Sequence, residues 1–428
     1  MDERVIVIGA GAAGLCAAER LLERGIEPLV LEASDRAGGR VRSLEGFADI
    51  PIELGAEEVH GPDNAAARLA TKLGIDLIHH VTLDDVLRLD GKLMTLDQAQ
   101  RDPDVARACD FIDNLGNYRG ENWTAEDFLV RSHFPRRAWH YLDSRLGVEH
   151  GTTLDRLAVR GFATYQKGWE SRETNYTLAG SYGDLFRPAV ERLGARIRLN
   201  AAVAAIEWGG EPVVRLFSGG EIRCRAVVVT VPLPMLRERL LHFSPQLPKE
   251  KIAAADSIGM DTGMKILLKF KHRFWDETTY FIHTDGFLPQ FWAACKGKAS
   301  ASHVLTAFVG GSRAEALDNM GVDPVRFAIE ELDELFGARL ASRSFERGLV
   351  ADWGADPYVR GLYSYPTTLT TEASREALAR PVERKLFFAG EATNTHGASG
   401  TVHGAMETGW RAAEEVAAAL GGAASAGS

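Results

Sequence analysis

The sequence predicts an α/β fold in which a Rossmann-like dinucleotide-binding domain is interwoven with an α+β second domain. Three observations carry the prediction. Residues 5–32 hold a strand, a glycine loop, a helix, a second strand and an acid, in the order a nucleotide-binding βαβ unit requires. Two further apolar runs of the same buried-strand character, Ala226–Val231 and Lys385–Ala389, lie far downstream. No internal repeat or low-complexity linker separates them, so the nucleotide domain is expected to be assembled from distant segments.

Val5-Ile6-Val7-Ile8 is a short continuous apolar run, as suits a strand covered on both faces. Gly9, Gly11 and Gly14 follow in G-x-G-x-x-G spacing, with Ala10 and Ala13 between them. In such a loop the glycines give a tight turn, close approach of backbone to a pyrophosphate, and close helix–strand packing. A helix carrying Leu15, Ala18 and Leu22 comes next, with Gly25 at its expected C-cap. Its N-terminus offers unpaired N–H groups and the positive end of a dipole to phosphates. Leu29-Val30-Leu31 is the second strand, and Glu32 behind it can accept hydrogen bonds from a ribose. This much points to a dinucleotide and leaves NAD and FAD both open.

Bulk properties exclude several classes. A length of 428 residues suggests about two or three domains. The 45% hydrophobic and 25% charged composition is that of an ordinary soluble globular protein. A formal net charge of −10 argues against nucleic-acid binding and mildly favours cationic ligands. Cys16, Cys109, Cys224 and Cys295 are scattered, with no C-x-x-C and no metal spacing, which predicts a reducing compartment, no disulfide framework and no metal. The first strand begins by Arg4, leaving no room for a signal peptide, and no apolar run reaches membrane-spanning length. The expectation is a cytoplasmic protein, monomeric or homodimeric, without nucleic-acid or membrane partners.

After Glu32, Asp35-Arg36-Ala37-Gly38-Gly39-Arg40 sets a planar guanidinium beside paired glycines, where Arg40 is suited to pair with a phosphate. Residues 52–61 read as a strand running into a turn, with Glu58 and His60 on one face at a period of two. Residues 81–193 are mostly helical in pattern and rich in aromatics, among them Trp123, Trp139, Tyr141, Tyr165 and Trp169, which are read as core. Gly194–Trp208, Val213–Phe217 and Arg223–Val231 alternate like a β-meander, cut off by Pro232 and Pro234.

Gly263–Phe270 is another strand. Met264, Ile266, Leu268 and Phe270 share one face; Lys265, Leu267 and Lys269 share the other, which periodicity alone reads as solvated. A helix follows over Val325–Phe336. The last helix starts near Val402, with apolar or small residues at 402, 405, 406, 409, 413, 416 and 420. Residues 421–428 are expected to be a disordered tail. The division that results gives 1–80, 196–256 and 382–420 to the nucleotide domain, and 81–195 and 257–381 to the substrate domain.

Glu32–Arg40 (E-x-x-x-R-x-G-G-R), Leu54-Gly55-Ala56, Phe388–Thr393 (F-A-G-E-A-T), Ser399–Ala405 and Gly409–Ala412 together resemble the flavin-containing amine oxidases. That is the family of monoamine oxidases, polyamine oxidases and flavin-dependent histone lysine demethylases. The resemblance runs end to end. Ser399–Ala405 with Gly409–Ala412 most resembles the polyamine-oxidase and demethylase branch, and Trp353, Gly361 and Tyr363 match the family's late W…G-x-Y pattern. The resemblance implies FAD rather than NAD, on a glutathione-reductase-type FAD-binding domain.

Carried over residue by residue, it implies that Gly9, Ala10, Gly11, Ala13, Gly14, Glu32, Gly39 and Arg40 hold the ADP half. Val203 would touch the adenine through its backbone. The backbone of Ala56, Glu57 and Glu58, with Trp353, Gly390, Glu391, Thr401 and Val402, would hold the ribityl chain and isoalloxazine. A helix N-terminus at Val402 suits the negative charge of a reduced flavin, by about 0.3–1 kcal/mol. Lys265, in K-I-x-L-K-F followed by Phe274-Trp275, is implied as the catalytic residue, facing flavin N5 through a water. The family reaction takes a hydride from the carbon next to nitrogen. The imine then hydrolyses, and dioxygen reoxidises the flavin to give hydrogen peroxide.

His60, Glu58, Tyr363 and Thr401 are implied walls of the amine cavity. Thr401 stands where monoamine oxidases have a second aromatic. Leu362 stands where they carry the cysteine that bonds the flavin, so FAD is expected to be non-covalent. Glu58 replaces an aromatic of the polyamine-oxidase branch; its carboxylate is expected either to bind a second ammonium or to point into solvent. Glu57–His60 lacks the arginine that L-amino-acid oxidases tend to place there. The implied function is an FAD-dependent amine oxidase acting on a polyamine or another primary or secondary amine. The alternatives are a protoporphyrinogen-oxidase-like desaturase, which the context of Lys265 speaks against, and a low-turnover flavin-binding scaffold.

Overall fold

The computed structural model describes residues 4–80, 84–166 and 175–424. Trp169, the side chain of Tyr165 and the last four residues of the expected tail lie outside the described residues. A five-stranded parallel sheet runs in the order Ile197–Arg198, Pro28–Leu31, Val5–Ile8, Ala226–Val229, Leu386–Phe388. Val5 and Val7 face one core, with Leu15, Ala18, Phe387 and Val416. Ile6 and Ile8 face another, with Leu29, Leu31, Val227 and Phe388. Both faces exclude water, and so the run is continuously apolar rather than alternating.

Ile197–Arg198 departs from the expected meander. It takes the outer edge of the parallel sheet, where the Arg198 carbonyl accepts from the Glu32 amide at 2.9 Å. The meander itself is Val203–Glu207, Val213–Leu216 and Glu221–Arg223.

The Ala12–Glu23 helix packs against the last helix, Val402–Ala424. The two approach closely because Gly409 has no side chain: a Cβ there would sit 2.2 Å from the Ala13 carbonyl oxygen. The last helix runs to Ala424, past residue 421, where the tail was expected to begin. The alanine-rich turn at 417–419 favours propagation through the two glycines that follow.

A seven-stranded sheet has the order Phe345–Asp352, Gly263–Phe270, His303–Gly310, Gln290–Ala293, Phe281–His283, Val86–Leu89, Lys92–Thr95. One face of Gly263–Phe270 buries Met264, Ile266, Leu268 and Phe270 against Ala314, Leu317, Ala328 and Leu332 of two helices, Gly311–Met320 and Pro324–Phe336. The other face turns toward the core beneath the parallel sheet, where Leu267 packs with Ile52 and Leu54. That face is therefore not solvated along its whole length. Lys265 is 5% exposed, whereas Lys269, nearer the strand end, stays partly open and pairs with Glu346.

Glu58–His60 pairs with Asn175–Leu178, which pairs with Leu77–His80. Between them the chain is largely helical. Tyr141 sits in its core, and Trp123 and Trp139 lie under the guanidinium groups of Arg131 and Arg136.

Candidate active site

One continuous cavity of about 650 Å³ connects the glycine loop to Lys265. At its nucleotide end Gly9 has φ +102°, a conformation open to glycine and costly for other residues. The turn aims the start of the Ala12–Glu23 helix at the cavity. The N-cap of that helix is Gly11, with no capping side chain, so its first amides are available to an anion. Glu32 ends the second strand, 8% exposed. It accepts from the Ala10 amide at 2.7 Å and from the amide and hydroxyl of Ser34 at 2.9 and 2.8 Å.

Gly9, Gly11, Ala13, Glu32, Gly39, Arg40 and Val203 all line this end. Ala10 and Gly14 do not. Ala10 is fully buried, with its amide donated to Glu32, and a Cβ on Gly14 would lie 1.9 Å from the Gly9 carbonyl oxygen. Their part is to hold the acid and the helix in position from behind the wall.

Farther along, Arg40 Nη1 donates to the Leu362 carbonyl at 2.8 Å and to Glu391 Oε1 at 2.9 Å. The guanidinium expected to meet a phosphate thus ties the Gly38-Gly39-Arg40 turn to the F-A-G-E-A-T segment. Glu391 Oε2 accepts from the Ser364 hydroxyl at 2.6 Å and the Gly400 amide at 2.8 Å. Burial pushes this carboxyl up, but Arg40 and its hydrogen bonds outweigh burial and hold it below the usual carboxylate range. The Trp353 indole donates to the Leu54 carbonyl at 2.8 Å. Thr401 caps the last helix, accepting from the Gly404 amide at 3.0 Å, and lines the cavity with Ala56, Gly390 and Val402.

At the far end Lys265 Nζ donates to Glu57 Oε2 at 2.8 Å and to the Glu53 carbonyl at 3.2 Å. The Trp292 indole donates to the same Glu57 oxygen at 3.0 Å, and Nζ lies 5.0 Å from the centre of the Trp292 ring. Glu57 was expected to act through its backbone; its buried carboxylate is, in addition, the partner of the lysine. Trp292, Phe308 and Tyr363 wall this end, the last two with parallel rings. Tyr363 is oriented by a 3.0 Å hydrogen bond to the Val148 carbonyl, and His60 Nδ1 lies 3.0 Å from Asn175 Oδ1. Glu58 faces the cavity rather than open solvent. Its Oε1 is buried without a hydrogen-bond partner, and burial, then Glu57 and Glu149, push its carboxyl up to about 8.

Sequence reasoning missed Trp292 and Phe308. Phe308 is the direct cross-strand partner of Lys265, and that register is a long-range fact with no local signal. It also missed Ser144, Arg145, Val148 and Glu149, which a helical segment presents to the cavity. Their helical spacing was legible, but not which face met the sheet.

The wall is suited to an extended dinucleotide: uncapped helix amides and a ribose-directed acid at one end, a lysine among aromatics at the other. A family model described as flavin containing amine oxidoreductase matches residues 12–417. The chain belongs to this family. Its cofactor is FAD, and the glycine turn and uncapped helix fit the phosphates of that group.

This family member is 29% identical to human peroxisomal N(1)-acetyl-spermine/spermidine oxidase, over 96% of its own length and 94% of that protein's. It is 27% identical to human lysine-specific histone demethylase 2 over 97% of its length, covering 54% of that protein. The chain spans about half the length, or less, of three curated histone demethylases that it matches. Cyclohexylamine oxidase from Brevibacterium oxydans IH-35A shares the fold, with a TM-score of 0.83 at 22% identity over 98% of this chain and all of that one. So does putrescine oxidase bound to putrescine, with a TM-score of 0.83 at 18% identity over 98% and 99%. Among the described residues no helix is long and apolar enough to cross a membrane.

Proposed function

We propose that this protein is an FAD-dependent oxidase of a polyamine or another primary or secondary amine, with Lys265 as its catalytic residue. Bound FAD supplies the chemistry, accepting a hydride from the carbon next to nitrogen and passing the electrons to dioxygen, so that an imine and hydrogen peroxide result. The observation that carries the reading is Lys265, buried and doubly anchored on the wall of the cavity whose other end fits the dinucleotide. A desaturase of a hydrophobic ring has no evident use for an ammonium group there.

The chain's own residues have two tasks. Hydride departure needs a neutral amine, and for a substrate with a lysine-like pKa, losing the proton at pH 7 costs about 4–5 kcal/mol. Enclosure by Trp292, Phe308 and Tyr363 favours the neutral form and so offsets part of that cost. Glu57 and the Glu53 carbonyl take two N–H donors of Lys265, which leaves one for the cavity.

FAD is held without a covalent bond, since Leu362 offers no nucleophile beside Tyr363. In this reading 1–80, 196–256 and 382–420 hold FAD, the intervening segments hold the amine, and the protein works in the cytoplasm as a monomer or homodimer. The test is an amine panel read by flavin bleaching without oxygen and by peroxide release with it. Yellow protein that no amine bleaches would overturn the reading.

A further inference from the structure

Glu58 is the cavity group whose surroundings the reaction leaves unexplained. The segment from Glu57 to His60 brings two adjacent carboxyl groups to one cavity, and only the first has a cation in contact: Glu57 is closed off by Lys265 and Trp292. Glu58 Oε1 is buried and accepts no hydrogen bond. Beside it, reaching from the Thr279–Phe281 segment, the Tyr280 hydroxyl is likewise buried and, apart from its contact with the Glu58 carboxyl, without a hydrogen-bond partner, in a residue 1% exposed. Native proteins rarely leave two such atoms together, because each unmade hydrogen bond costs desolvation.

The charge balance has a sign. Glu57 and Glu149 face Glu58 on the acidic side, and Lys265 and Arg145 on the basic side, with Lys265 already neutralised by Glu57. Arg145 is surrounded by Tyr141, Glu149 and Asp85 as well as Glu58. Once Glu58 is ionised the acids are in excess, and its burial is not compensated; the surroundings suit a cation.

We infer that Glu58, backed by the Tyr280 hydroxyl, is the binding site for a second, non-reacting ammonium group of the substrate, which makes diamines and longer polyamines the preferred substrate class. This rests on the amine-oxidase reading and narrows it. Without ligand the Glu58 carboxyl keeps its proton near neutral pH. When the ammonium docks, that proton leaves to bulk water, the carboxylate pairs with the ammonium, and Tyr280 Oη–H turns to donate to Oε1. The aromatic walls suit the methylene chain between the two nitrogens.

The experiment compares α,ω-diaminoalkanes with n-alkylamines of the same chain length on the FAD-loaded protein. Affinity is read from the perturbed flavin spectrum and reduction from anaerobic bleaching, in the wild type, Glu58→Gln and Tyr280→Phe. A charge-assisted contact predicts diamines bound about 10–100-fold tighter than monoamines in the wild type. Glu58→Gln should collapse that ratio toward one, and Tyr280→Phe should lower it without abolishing it. Titration calorimetry in buffers of different ionisation enthalpy should show one more proton released by the diamine than by the monoamine, and Glu58→Gln should lose it. Amines that bleach the flavin with no diamine preference, or a preference that survives Glu58→Gln, overturn the site and leave the oxidase standing. Diamines that bind with a Glu58-dependent preference but never bleach the flavin overturn the oxidase and leave the site. Diamines that do neither overturn both.

Discussion

Lys265 Nζ and Glu57 Oε2 stand 2.8 Å apart, their side chains 7% and 5% exposed, on the wall of the cavity that joins the glycine loop to the aromatic end. The pair joins two distant parts of the chain. The lysine comes from the strand next to one edge of a seven-stranded sheet, the glutamate from the turn before the Glu58–His60 strand. Each desolvates the other, so neither is replaced without consequence.

Lys265→Met should therefore have two separable effects. Leaving Glu57 buried and unpaired should cost about 3–5 kcal/mol of stability. Losing the cavity donor should slow flavin reduction or reoxidation by orders of magnitude while the protein stays yellow. The double variant Lys265→Met/Glu57→Gln removes the orphan charge and should regain most of the lost melting temperature without regaining turnover. Thermal unfolding and anaerobic stopped-flow on the three proteins check this; near-normal turnover in either variant would refute the role of the lysine.

The non-covalent attachment of FAD has a simple readout. Acid precipitation with trichloroacetic acid should leave the whole flavin absorbance in the supernatant. Colour retained in the pellet would contradict the inference drawn from Leu362.

Two buried histidines should each contribute less stability in mild acid. Burial, with lesser contributions from nearby Lys296 and His79, depresses the pKa of His80 to about 3; burial, with His60 and Arg68, does the same for His403. In the unfolded chain a histidine titrates near 6.5. The unfolded state thus binds more protons between these values, so the stability contributed by neutral burial is complete above about pH 6.5 and declines as pH falls toward 3. At pH 5 each histidine should have lost about 2 kcal/mol relative to pH 7.5. Melting curves of the wild type and of His80→Gln from pH 7.5 to 4.5 test this, the variant being expected to show the shallower decline.

The packing of the nucleotide loop should tolerate no added carbon. A Cβ on Gly14 would meet the Gly9 carbonyl oxygen at 1.9 Å, and one on Gly409 the Ala13 carbonyl oxygen at 2.2 Å. Both neighbours are backbone, which cannot rotate away. Gly14→Ala and Gly409→Ala should each cost about 1–3 kcal/mol or more and reduce the flavin retained on purification. The ratio of absorbance at the flavin band to that at 280 nm reads it directly; a fully yellow, unshifted Gly14→Ala protein would show that the helix has room to move.

Much of the fold was readable along the chain because its signals are local. Val5–Ile8, the glycine spacing, Glu32 and the periodicity of the last helix each follow from a few neighbouring residues, and the resemblance of Glu32–Arg40 and Phe388–Thr393 to a known family pointed to the flavin. Lys265 was legible as a candidate for the same reason. Periodicity alone assigned it to a solvated face, and that reading failed because solvent exposure is set by what packs over a strand, not by the strand itself.

The sequence by itself determined the dinucleotide loop, its acid, and the alternation that puts Lys265 opposite Met264. Only the tertiary structure decided that the Lys265 face is covered, that Glu57 and Trp292 grip the lysine, and that Phe308 lies across from it. The division has a physical cause. Turns, caps and side-chain periodicity are fixed by interactions a few residues long, whereas burial and ion pairing depend on sheet register and on contacts between segments about two hundred residues apart. Local chemistry does not encode these relationships, and packing imposes them.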